Sequence, residues 1–135
     1  MFIAGIVIAS LSYSAAAPDE QPAPKSENIA ELLKERVAVL KSKHDHAVSG
    51  YDNGVCSFEQ VHITRVEYLN ARLDACTDRD ERIAILKESL DDAKAFHKAA
   101  RERIEATTGN MIEELAAKAY VLEARIALAR AQQAK

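Results

Sequence analysis

The stretch LKERVAVLKSKHDHA, from Leu33 to Ala47, returns as LKESLDDAKAFHKAA from Leu86 to Ala100. Leu33, Lys34, Glu35, Lys41, His44 and Ala47 recur 53 residues later as Leu86, Lys87, Glu88, Lys94, His97 and Ala100. Leu69, Ala71 and Arg72 recur at the same offset as Leu122, Ala124 and Arg125, and no gap is needed. A period of this length marks one supersecondary unit used twice. The unit reads as two helices joined by a turn. In its first copy Leu33, Val37, Leu40, His44, Ala47 and Tyr51 fall at alternating steps of four and three, an apolar stripe along one helix face.

Working outward, the first helix is expected to start near Ser26 and to end at Asp52, Asn53 and Gly54, where Gly supplies the left-handed closing residue. Ser57, with Gln60 three residues on, predicts a capping box that opens a second helix. Its stripe is Phe58, His62, Val66, Leu69, Leu73 and Cys76, with Val61 beside it. Thr77 with Asp80 predicts the next cap, and a third helix from about Asp78 to Thr107 carries Leu86, Leu90, Ala93, His97, Ala100 and Ile104. Gly109 is expected to break the chain and Asn110, with Glu113, to cap a fourth helix. Its stripe is Met111, Leu115, Ala119, Leu122, Ile126 and Ala129. The predicted fold is all-α: two tandem antiparallel helical hairpins, 26–76 and 77–135. They pack as a coiled-coil-like four-helix bundle or complete their core with another chain, since a lone hairpin has too little core to stand.

Composition agrees. Of 135 residues only four are Gly, three Pro and none Trp, which leaves little turn chemistry for a sheet. The net charge is −3 and the Lys and Arg residues are interleaved with acids, so no basic patch favours nucleic acid. Phe2–Leu11 is an apolar run followed by Ser14, Ala15, Ala16 and Ala17, the pattern of a secretory signal peptide covering 1–16. The run is shorter than the roughly 20 apolar residues that span a bilayer. Residues 17–25 hold all three Pro and read as a linker. The expected location is therefore exported: periplasmic, secreted or associated with an outer membrane through a partner. Cys56 and Cys76 stand at opposite ends of the second helix, roughly 30 Å apart at the helical rise, too far for an internal disulfide. They are expected as free thiols or as a link between chains.

The first turn, YDNGVCSFEQV from Tyr51 to Val61, resembles the helix–turn–helix tip of TolC-type outer-membrane efflux proteins through Tyr51, Gly54, Val55, Ser57 and Val61. The segments RVEYLNARLDA and KAYVLEARIALARA look like the Leu-x-Ala helices of that family. In the second turn Ile104 and Thr107 stand where the aromatic residue and the Gly would be. The resemblance, over about Glu27 to Ala131, implies periplasmic hairpins and a partner-binding tip made by Tyr51, Gly54, Val55 and Ser57. No segment alternates like a membrane strand, so a role in transport would need a partner that supplies the barrel.

Three histidines are the weak candidates for a metal site. Tyr51 should face Phe58 across the hairpin, which puts His44 and His62 within about a turn of each other and His46 near the same height. The pairs Asp91–Asp92 and Glu113–Glu114 are adjacent on helices and do not face each other. No G-x-S-x-G, P-loop or Cys–His nucleophile pattern occurs. No cofactor and no small-molecule substrate are expected. The sequence thus reads as a non-enzymatic interaction protein, pairing with itself or with an envelope protein along its helical stripes.

Overall fold

The computed structural model describes residues 28–134, so the predicted signal peptide and nearly all of the sequence before the first helix lie outside the described residues. Four helices follow in order: α1 (Ile29–Asp52), α2 (Phe58–Ala75), α3 (Arg79–Glu105) and α4 (Met111–Gln133), with no strand among the described residues. Each begins on a side-chain cap that satisfies an otherwise orphaned N–H. Ser57 accepts from the Gln60 N–H and Asn110 from the Glu113 N–H, as the sequence predicts. The other two starts differ from expectation. α1, expected to start near Ser26, starts at Ile29, and Asn28 caps it by accepting from Ala30. Asp78, rather than Thr77, caps α3 by accepting from Glu81. A carboxylate at a helix N-terminus also meets the positive end of the helix dipole, which favours Asp78 over its neighbour.

The helices run up, down, up and down. Along α1 the partners on α2 descend in step: Arg36 with Asp74, Lys43 with Glu67, His44 with Thr64, Tyr51 with Phe58. Backbones approach closely within the two hairpins and much less so between α2 and α3. No Cα of α1 lies within 8 Å of one in α4 among the described residues, so the array does not close into a ring of four.

The stripes of α1 and α3 pack as predicted, with Ala47, Leu86, Ala93 and Ala100 buried. The second helix of each hairpin behaves differently. Against α1, α2 presents Val61, Thr64, Tyr68, Ala71 and Ala75; the counterparts on α4 are Glu114, Ala117, Val121, Ala124 and Leu128. Thr64, Ala71, Ala117 and Ala124 are buried there. The predicted stripe of α2 also packs, but towards the second hairpin. The predicted stripe of α4 is wrong: Met111, Leu115, Ala119, Leu122, Ile126 and Ala129 all face outward. Small side chains win the hairpin contact because they let the helix axes draw together.

The two tips share one backbone. Gly54 N–H bonds to the Tyr51 carbonyl and Thr107 N–H to Ile104; Val55 and Cys56 both bond to Gly50, as Thr108 and Gly109 both do to Arg103. Gly54 has φ +72°, and its counterpart Thr107 has φ 58°, so Thr107 and not Gly109 takes the left-handed position. Gly109 serves a different need. A Cβ there would lie 2.9 Å from Arg103 Cβ, while in the first tip a Cβ on Gly50 would lie 2.6 Å from the Cys56 sulfur. Each tip therefore crosses through one Gly, placed on opposite sides of the crossing.

A β-branched residue at positive φ is strained by roughly 1–2 kcal/mol. Thr107→Gly is expected to stabilise the fold by about 0.5–1 kcal/mol after the added chain entropy is subtracted. Gly54→Ala at the equivalent position should destabilise it by about 1 kcal/mol. Urea unfolding of the two variants checks the opposite signs.

Candidate functional site

The hairpins meet at a joint between α2 and α3 built of rings and charges. Phe58 and His62 stand one turn apart on α2 and both lie parallel to Phe96 of α3, with centroids at 4.8 and 3.7 Å. Tyr120 of α4 meets His62 edge-on at 4.7 Å, and Tyr51 leans on Phe58 at 6.1 Å. The Arg103 guanidinium sits 5.2 Å above the Phe58 ring, tying the second tip to the start of α2. Phe96, Ala100 and Ala117 form the buried cluster on which Phe58 and Tyr120 close.

Toward the other end the joint is ionic. Arg65 donates from Nε to Asp92 and from a terminal nitrogen to Glu88, each at 2.6 Å; Arg72 donates to the second Glu88 oxygen at 2.7 Å. Tyr68 lies between the two guanidinium groups, 5.7 Å from each. Burial opposes the charge on Arg65, but the hydrogen bond and attraction of Asp92, then of Glu88, outweigh it and hold its pKa above the ordinary value. A partly shielded Arg with two carboxylates is a geometry-specific clamp.

His62 is buried, and its Nε2 has no hydrogen-bond partner among the described residues. Burial lowers its pKa from 6.5 to about 4, against the weaker opposing pull of Asp92. The ring is therefore neutral at pH 7. His44 is shifted down as well, first by burial and then by Arg65. A groove of about 370 Å³ runs over α2 between α1 and α3, with His44, Val48, Phe58, Val61, His62 and Phe96 among its lining residues.

The candidate residues separate. His44 and His62 share that groove, but His44 Nδ1 pairs with the Thr64 hydroxyl at 3.2 Å and His62 is spent on the ring stack. His46 bonds through Nδ1 to the Ser42 carbonyl of its own helix. No group of three or more His, Cys, Asp or Glu able to hold a metal ion occurs among the described residues. Cys56 and Cys76 are free thiols. At the tip, Tyr51, Gly54, Val55 and Ser57 fall together on one exposed bend, with Val55 82 % exposed. Sequence reasoning missed Phe96, Arg65, Glu88 and Asp92 as the joint. The signal available was the aromatic at 96 and the acid at 92, which break the repeat where Lys43 and Val39 stand in the first copy.

No helix among the described residues is long and apolar enough to cross a membrane. Comparison with protein-family models, with curated proteins and with solved structures returned no match.

The depressed His62 pKa links stability to pH. As pH falls below 6.5 the unfolded chain takes up a proton that the folded chain refuses until about pH 4. The His62 contribution to stability is complete above that window, drains through it, and changes no further below. The expected loss from His62 is about 3 kcal/mol, with His44 adding in the same direction. His62→Phe should remove most of the slope and leave the fold at least as stable at neutral pH. Urea midpoints measured across the window check both.

Proposed function

We propose that this chain is an exported, non-enzymatic interaction protein that pairs its helices with other helices. The observation that carries the reading is the placing of its large apolar side chains. Ile29, Leu32 and Val39 on α1, and Met111, Ile112, Leu115, Leu122 and Ile126 on α4, lie exposed along the two outermost helices. Contiguous apolar patches on a protein surface mark contact sites, and an apolar stripe at helical spacing fits the face of another helix. Among the described residues the buried His62 is neutral and stacked, and the shielded acids are paired: Glu88 with Arg65 and Arg72, Asp92 with Arg65, and Glu114 with His97.

The apolar run at 2–11 with its small-residue cleavage zone supports export with cutting after Ala16. The first tip is the second contact. Val55 projects from a turn whose backbone is locked by Gly54 and the Ser57 cap, and the likeness to TolC-type tips supports docking of an envelope partner there.

The test is photo-crosslinking from the full chain in living cells, with the reactive residue at Val55, at Ile126 or at Lys98 as a polar control. Adducts are expected from Val55 and Ile126 and none from Lys98. Absence of adducts at both apolar positions would overturn the interaction reading.

A further inference from the structure

The internal repeat relates the open faces to the α2–α3 joint. Positions that the α2–α3 joint buries are the same positions that stand bare at the two ends of the array. Leu69 is 2 % exposed, and its counterpart Leu122 is 50 % exposed; His62 is 6 % and Leu115 is 54 %; Ile85 is 1 % and Leu32 is 44 %. The α4 face is thus the α2 face without a following hairpin. The α1 face is the α3 face without a preceding one.

Three of the four charges in the ion pairs of the joint are carried over in sign, Asp92 alone being replaced, by Val39. Arg65 and Arg72, which clamp Glu88, correspond to Lys118 and Arg125 on α4; Glu88 corresponds to Glu35 on α1. Glu35, Lys118 and Arg125 are exposed and make no ion pair among the described residues. Arg82, which donates to the Leu73 carbonyl at the far end of the joint, corresponds to exposed Ile29, and Leu73 to exposed Ile126. One face therefore offers aliphatic side chains flanked by two cations, and the other offers aliphatic side chains around an anion.

We propose that copies of this chain join head to tail, the open face of α4 in one copy seating on the open face of α1 in the next, in the register that joins α2 to α3 within the chain. The proposal rests on the reading of this protein as one that pairs helices, and it names the partner as a second copy. The contact is heterologous, so a pair of copies keeps one free face of each kind and assembly continues beyond two unless it closes. Across the new joint Arg125 and Lys118 meet Glu35, and Ile126 lies level with Ile29. Phe58, His62 and Phe96 are replaced by Met111, Leu115 and Lys43, so the ring stack is missing and the joint between copies is weaker than the one within.

The test uses the purified mature chain in a dilution series followed by sedimentation velocity. Species at multiples of the monomer mass are expected at high concentration. Leu32→Glu and Leu122→Glu should each abolish them; both positions are at the surface, and unchanged helical circular dichroism verifies the fold. Glu35→Arg and Arg125→Glu, each alone, should weaken association by about tenfold or more through like charges in the contact. Mixing these two variants should restore it, because one contact between unlike copies is the native pairing of Arg125 and Lys118 with Glu35, and in the other the charges at 35 and 125 are both reversed, with only Lys118 opposed. A wild-type chain that stays monomeric at all concentrations overturns the proposal. So does association untouched by Leu32→Glu and Glu35→Arg, which would mean α4 pairing with α4, or failure of the mixture to recover. A monomeric purified chain whose Ile126 crosslinks in cells to a different protein would overturn head-to-tail joining and leave the interaction function standing.

Discussion

Everything about the shape of this molecule hangs on the contact of Phe96 with His62. Within each hairpin the helices draw together through Ala and Thr, and those contacts would exist in a single copy of the repeat. Between hairpins the backbones stay apart and side chains must fill the gap. The rings do so nearest the tips, the Arg65–Glu88–Asp92 cluster next, and buried Leu69 and Ile85 beyond it. The stack leaves a ring nitrogen unpaired in a buried place, a cost of about 1–3 kcal/mol for such a group. Apolar contact from Phe96, Phe58 and Tyr120 offsets it. The carboxylates of α3 and the guanidinium groups of α2 then set the register, since a slide of one turn would separate them.

A joint made this way is directional. It takes one helix from the second position of a hairpin and one from the first position of the next. The two outer helices carry the matching positions, and among the described residues no other helix covers them, so large aliphatic side chains stand exposed there at regular spacing. Apolar area is usually scattered over a surface without meaning. Here it is ordered by the repeat.

Most of the fold was readable from the sequence because the repeat and the caps are local signals. Ser57 and Asn110 mark helix starts by hydrogen bonds that reach only three residues. The level of Tyr51 with Phe58, and the nearness of His44 to His62, follow from the length of the first turn. What could not be read was which stripe of α4 faces its partner. Met111, Leu115, Leu122 and Ile126 form the more hydrophobic stripe, yet the hairpin selects Ala117 and Ala124 because closeness of approach outweighs side-chain size. The α2–α3 joint was hidden for a related reason: its ring stack and Asp92 stand where the two copies differ, at Phe58, His62, Asp92 and Phe96, and a reading built on likeness passes over them. At the second tip, Gly109 drew attention to itself as the conformational break, whereas the break is at Thr107 and the Gly answers to crowding.

That crowding has an evolutionary consequence. The two bends share one trace but differ in sequence, and the room for a side chain lies on opposite sides of the crossing: Gly50 opposite Cys56 in one, Arg103 opposite Gly109 in the other. Each pair is a couplet. A recombination event that copied only half of a couplet from one bend into the other would place two side chains, or none, at the crossing, so the halves of this gene can exchange bends only as whole blocks.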